Sequence, residues 1–248
     1  MIALLAAVPL ETDLLRRELA PCEVRRCHGF DLLCGTLAGR PVCLLHSGVG
    51  KANAAAAVAA LCAGERPTAV YLFGCGGAYP SSGLSVGDLA LATEEVYGDE
   101  GVLAPSGFLG MAAMGLPLLE REGKRYFDRF PADAALLANA MPQLSQLAAA
   151  EGRRLASGTF VTVSTCSGTS RTGESLARRC GGICESMEGA AVAQTCARYG
   201  IPFLEVRGIS NLVEDRDLAR WELRRAAEIA QKAALAALSE PCEGALPA

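Results

Sequence analysis

A chain of 248 residues that is 51% hydrophobic has enough apolar side chains for one large α/β core or two small ones. Lys and Arg number 23 against 27 Asp and Glu, for a net charge of −4, and no run of basic residues forms a footprint for nucleic acid or an acidic lipid surface. Small-molecule chemistry is the expectation that remains, with no nucleic acid and no membrane among the partners.

The first apolar run, 2–8, has no basic leader and meets Glu11 long before a membrane could be crossed, so it reads as a buried strand. A short helix is expected over 12–19. Glu11 follows the strand and opens that helix, which puts it near the carboxyl edge of a sheet, where ligands of α/β folds gather. A first-turn acid complementing the helix dipole, worth ~0.3–1 kcal/mol, is an alternative reading of the same residue.

Strands are expected at 30–33 and 41–46, and Ser47-Gly48-Val49-Gly50-Lys51-Ala52-Asn53 then leads into an alanine-rich helix over 50–63. Glycines such as Gly48 bring backbone amides close to a ligand or make a tight turn. The spacing is neither that of a nucleotide phosphate loop nor that of a dinucleotide fold. A strand at 69–73 ends in Phe73-Gly74-Cys75-Gly76-Gly77-Ala78, where Gly76 suits either a flat ring lying on the backbone or close packing of sheet and loop.

After a strand at 88–93 the rhythm breaks. Residues 97–131 carry four glycines between Gly98 and Gly110, followed by Met111, Met114, Phe127 and Phe130 without a clean period. Such a segment is a lid, a substrate wall or a plain surface excursion. A helix over 132–150 and a strand over 155–164 follow, and Phe160 within that strand is either core or a base-stacking aromatic.

Met187 and Glu188 precede a helix over 189–199, and at helical spacing Glu188 shares a face with Ala191, Val192 and Thr195. A carboxylate directed at packed structure is costly without partners, and a pair of sugar hydroxyls would satisfy it. The strand 203–209 carries Glu205 and Arg207 on one face, a pair that reads first as a structural bridge. Ser210 and Asn211 end it. An amide donates to one purine acceptor and accepts from a ring N–H, which fits a 6-oxopurine, whereas aspartate would fit a 6-aminopurine better; an asparagine capping the next segment is the plainer alternative.

A last helix is expected over 221–238, with 239–248 as a frayed tail. Eleven cysteines without a Cys-x-x-Cys pair, beside only His28 and His46, read as reduced cytoplasmic thiols and not as a metal site.

Taken in order, Ser47-Gly48-Val49-Gly50-Lys51, Phe73-Gly74-Cys75-Gly76-Gly77, Val86-Gly87-Asp88, Ser186-Met187-Glu188-Gly189-Ala190-Ala191 and Arg207-Gly208-Ile209-Ser210-Asn211 resemble the nucleoside phosphorylase and nucleosidase superfamily. The resemblance runs from Ile2 to about Leu238. Within it, residues 209–217 followed by Trp221 are most similar to the futalosine hydrolases.

That resemblance implies a single-domain three-layer α/β/α fold over 1–238 around a central mixed twisted sheet, assembled as a homodimer or higher homo-oligomer and needing no cofactor. It gives Glu11 the attacking water, and Met187 and Glu188 the ribose, with Glu188 on the 2′- and 3′-hydroxyls. Phe160 stacks on the base, Ser210 and Asn211 read it, and Gly48 and Gly76 line the substrate. Methylthioadenosine nucleosidases carry aspartate where Asn211 stands, so adenine nucleosides are expected to be poor substrates.

The reaction implied is hydrolysis of a 6-oxopurine nucleoside, futalosine foremost, giving hypoxanthine and dehypoxanthine futalosine for menaquinone. The segment with Phe108, Met111 and Met114 is expected to wall the aryl tail. A purine nucleoside phosphorylase, a methylthioadenosine, S-adenosylhomocysteine or aminodeoxyfutalosine nucleosidase, and an inactive nucleoside-binding relic are the alternatives.

Overall fold

The computed structural model describes residues 1–239. In chain order it runs β1 (Ile2–Ala6), a 3-10 turn (Pro9–Thr12), α1 (Asp13–Glu18), β2 (Ala20–Cys27), β3 (Phe30–Leu37), β4 (Arg40–His46), α2 (Lys51–Gly64), β5 (Ala69–Ala78) and β6 (Leu89–Tyr97). The middle holds β7 (Gly101–Ala104), β8 (Gly107–Gly110), α3 (Met111–Met114), β9 (Leu119–Arg121), β10 (Lys124–Tyr126), β11 (Arg129–Pro131) and α4 (Ala134–Ala150). The chain continues through β12 (Leu155–Thr162), α5 (Ser170–Cys180), β13 (Gly182–Ser186), α6 (Gly189–Tyr199), β14 (Phe203–Leu212) and α7 (Leu223–Leu238). The expected tail over 239–248 lies, beyond Ser239, outside the described residues.

Ten strands form one mixed sheet in the order β11-β6-β12-β13-β5-β1-β4-β3-β2, with β14 bonded to both β5 and β6. The mixed α/β fold is the expected one. Its sheet also closes: β6, β12, β13, β5 and β14 each pair with the next, and β14 pairs back to β6. Closure depends on the far end of β5, where Gly77 and Ala78 meet Glu185 and Cys184 of antiparallel β13 while the same strand runs parallel to β14.

β1 shows why the first apolar run lacks alternation. Ile2, Leu4 and Ala6 pack with α1, α4 and α7 residues such as Leu15, Leu144 and Ile229, while Ala3 and Leu5 face Val58 of α2 and Val192 of α6. A strand covered on both faces has no polar side to present, and Leu4 and Leu5, both fully buried, each contribute roughly 1.5–3 kcal/mol. β1 pairs in parallel with β4 and β5, and β5 in parallel with β14, so four carboxyl ends converge on one edge.

β2, β13 and α5 are the elements the sequence concealed. The first is mostly exposed at the sheet edge, and the second spans five residues. The third, SRTGESLARRC, buries only Gly173, Leu176, Ala177 and Cys180. Residues 97–131 are more regular than expected: β7 and β8 form one hairpin, β9 and β10 another, and β11 joins the main sheet beside β6. No helix among the described residues is long and apolar enough to cross a membrane.

Candidate active site

A cavity of about 320 Å³ opens where the ends of β1, β5, β13 and β14 meet. Glu11 stands at its edge in the turn that follows β1, where Pro9 starts a single 3-10 turn and the Glu11 backbone N–H donates to Val8 O at 3.1 Å. Its Oε2 accepts from Ala7 N at 3.0 Å and Val8 N at 3.3 Å, and its Oε1 accepts from Cys75 N at 2.8 Å. Carboxylate oxygens have spare lone pairs, so the group can still accept from a water in the cavity. Gly74 makes room for it, since a Cβ at that position would sit 2.4 Å from Glu11 Oε1. The Cys75 thiol beside it is pushed up to about 12, by burial first and by the charge of Glu11 second.

Glu188 is 3% exposed, and its burial is as expected, but its position is not. It is the residue before α6, with φ −122° and ψ −37°, and its carbonyl starts the helix by accepting from Ala191 N and Val192 N. Its side chain therefore escapes the helical face and points back across the sheet edge. There Oε1 accepts from Gly50 N at 2.9 Å and Oε2 from Arg207 Nη2 at 3.2 Å.

Arg207 is the hub of the cavity floor. Its Nε donates to Glu205 Oε1 at 2.7 Å and its Nη1 to Cys75 O at 3.0 Å. Glu95 lies beside Glu205, both fully buried, and a Cβ on Gly189 would meet an oxygen of each within 2.5 Å. Burial, reinforced by the neighbouring Glu205 charge, holds the Glu95 carboxyl well above the usual carboxylate range. The Glu205 carboxyl is raised by burial despite Arg207. Glu95 Oε1 and Glu205 Oε2 have no hydrogen-bond partner among the described residues, and a proton kept by the pair would give one of them a donor.

Ser210 and Asn211 both face the cavity although they are consecutive in a strand, where neighbours normally alternate sides. A register shift between Ile209 and Asn211 against β5 accounts for it, because the extra residue re-aims the strand end. Ser210 Oγ lies 2.8 Å from Asn211 Oδ1 and 3.2 Å from Gly76 O. Asn211 Nδ2 donates to Leu212 O at 3.0 Å, which leaves one amide hydrogen for a ligand.

Glu185, which the sequence reading passed over, also lines the cavity. Its Oε1 accepts from Ser167 N at 2.8 Å, and its Oε2 accepts from Ser167 Oγ at 2.7 Å and Tyr79 Oη at 3.0 Å. Its placement one pleat from Met187 in Glu185-Ser186-Met187 was the available signal.

Of the expected site residues, Glu11, Gly76, Met187, Glu188, Ser210 and Asn211 share this one cavity. Gly48 stands behind it. With φ +83° it makes the tight turn, and its N–H donates to Ala7 O at 3.0 Å. Gly76 is required by packing as well, because a Cβ there would meet Cys184 Sγ at 2.6 Å.

Phe160 does not take the base-stacking place that the resemblance implies. It is fully buried with Ala90, Ala92, Cys184 and Ile209 and does not line the cavity, so it is a core residue. Trp221 and Cys166 are on the wall instead. Phe108, Met111 and Met114 are likewise absent from the wall, and Phe108 lies under the Arg179 guanidinium at 3.9 Å, beside a separate hollow. Lys51 is bound outward to Asp99 at 2.6 Å and Glu100 at 2.7 Å.

Residues 1–240 match the family model described as the phosphorylase superfamily. The chain is 37% identical over 204 residues to the futalosine hydrolase of Thermus thermophilus, covering 82% of this chain and 84% of the relative. It is 30% identical over 240 residues to the 5′-methylthioadenosine/S-adenosylhomocysteine nucleosidase of Geobacillus kaustophilus, covering 96% of each. Among solved structures, the corresponding nucleosidase of Neisseria meningitidis, in complex with methylthio-immucillin-A, superposes with a TM-score of 0.81 at 25% identity over 96% of this chain and 97% of that one.

Proposed function

The chain belongs to the phosphorylase superfamily, and from that premise we propose that it hydrolyses the N-glycosidic bond of a 6-oxopurine nucleoside, futalosine foremost, releasing hypoxanthine. The observation that carries the reading is the joint placement of Glu11, Glu188 and Asn211 on one cavity. A water activator, a diol acceptor and a base reader are the three groups that such a hydrolysis needs.

The bond breaks through an oxocarbenium-like sugar. Glu188 accepts from the ribose hydroxyls, and its contact strengthens as positive charge grows on the ring. Glu11, held by three backbone N–H groups, takes the proton of the water that adds to C1′. Asn211 donates its spare amide hydrogen to the departing purine. Base stacking falls to Trp221 in place of Phe160, since Trp221 is the aromatic of the wall.

Water is favoured over phosphate by the state of Lys51. The charge in the 47–53 turn is spent on Asp99 and Glu100, whose hydrogen bonds outweigh burial and keep the ammonium pKa raised. Likeness to the Thermus thermophilus futalosine hydrolase supports a place in menaquinone biosynthesis, and the thiol-rich composition supports a cytoplasmic setting. Exposed Leu103, Val102 and Leu109 on the β7–β8 hairpin support a homodimer or higher homo-oligomer.

The test is incubation with futalosine, inosine and methylthioadenosine, each with and without phosphate, followed by chromatography of the free base. Hypoxanthine from futalosine without phosphate is the expected result. A strict phosphate requirement, or efficient cleavage of methylthioadenosine, defeats the reading.

A further inference from the structure

Asn211 cannot give a proton to a leaving group, and the wall around it is acidic: Glu11, Glu185 and Glu188 all face the cavity. A 6-oxopurine that departs with the bonding electron pair therefore needs a positive group nearby. The wall contains two arginines. Arg207 is already bound to Glu188, Glu205 and Cys75 O. Arg216 is not comparably engaged, for among the described residues its guanidinium makes no ion pair and rests on the face of Trp221, 4.6 Å from the ring centre.

Among the described residues no acid of the neighbouring loop forms an ion pair with it. In the loop that follows β14, Glu214 pairs with Arg220, Asp215 accepts from Ser170 N at 2.9 Å, and Asp217 accepts from Ala219 N at 3.0 Å. The Arg216 backbone N–H is itself pinned to Gly168 O at 3.2 Å, and Cys166, two residues before Gly168, also lines the cavity. Arg216 and Asn211 also both line the small hollow that adjoins the cavity, so the two residues stand at the same end of it.

We propose that Arg216 is the cation that stabilises the departing 6-oxopurine, in place of a proton from residue 211. This rests on the hydrolytic reading above. The C1′–N9 bond breaks with its electron pair going to the base, whose charge spreads to N7 and O6 and is met by the guanidinium. Water adds to C1′ and gives its proton to Glu11, and the released base takes a proton from solvent. A donor that meets charge developing only in the transition state acts on turnover and not on ground-state binding.

The experiment measures kcat and KM for hypoxanthine release from futalosine, with inosine as a substrate lacking the carboxylate tail, in Arg216→Ala and Arg216→Lys, with circular dichroism as the check on folding. Arg216→Ala is expected to lower kcat on the order of 10²-fold with little change in KM, and Arg216→Lys and added guanidinium ion each recover part of the loss. An unchanged kcat overturns the proposal. So does a loss that appears only as a raised KM for futalosine, because that would assign Arg216 to the tail carboxylate. Failure of the unaltered protein to release hypoxanthine from either nucleoside is a different result and defeats the hydrolytic reading itself.

Discussion

Arg207 holds Glu188 from the cavity floor, with Nη2 3.2 Å from Glu188 Oε2 and Nε 2.7 Å from Glu205 Oε1. One fully buried guanidinium thus joins the carboxylate that faces a ligand to one at the bottom of the core. All three groups are buried, so the arrangement is a device for fixing geometry more than a source of stability.

Glu188→Gln is expected to lower kcat/KM on the order of 10²-fold, because the amide presents a donor where the diol and Arg207 both need an acceptor. The measurement is steady-state hydrolysis of ribo- and 2′-deoxyribonucleosides. Equal rates on the two sugars in the unaltered protein would remove Glu188 from the diol.

Glu11→Gln is expected to lower kcat by roughly 10²–10⁴-fold with KM nearly unchanged. It also turns an amide N–H toward Ala7, Val8 or Cys75 N–H, at a cost of about 1–3 kcal/mol in stability. Chemical denaturation and kinetics together test both, and normal turnover would exclude Glu11 as the water activator.

The carboxyl pair under the floor sets a pH dependence of stability. The Glu95 pKa is raised in the folded protein, by burial and then by Glu205, so the folded state binds the proton more tightly than the unfolded chain. Its contribution is fully present below the unfolded carboxylate pKa and is lost as pH rises toward the folded one. Glu95→Gln, which keeps the shape and the donor, should gain on the unaltered protein in melting temperature as pH increases from about 5 to 8. A difference that is flat across that range would mean the pair does not retain a proton.

Phe160→Ala is expected to cost about 3–5 kcal/mol of stability, the range for emptying a packed aromatic site. The folded fraction should bind substrate with unchanged KM, because the ring is not on the cavity wall. A raised KM in the milder Phe160→Leu protein would restore the stacking role.

Much of the site was legible because its residues sit at punctuation. Glu11 follows a buried strand, Ser210 and Asn211 end another, and chain topology brings such ends to a common edge. The place of Phe160 is not legible for a related reason: an aromatic in an apolar strand has the same local appearance whether it faces a ligand or the core, and only pairing with β6 and β13 decides. The bulge that turns both Ser210 and Asn211 inward is equally invisible locally, since it is defined by register against β5. α5 was hidden by its polarity, and its one strong signal was Thr169, whose side chain accepts from Thr172 N and caps it.

Gly74 extends the active site into heredity. Any methyl at this position would lie against the Glu11 carboxylate and crowd Arg207 Nη1 at 3.0 Å, so the missing side chain is part of what lets the acid sit there. In a saturation library scored for turnover, substitutions at position 74 are expected to be lost alongside those at position 11.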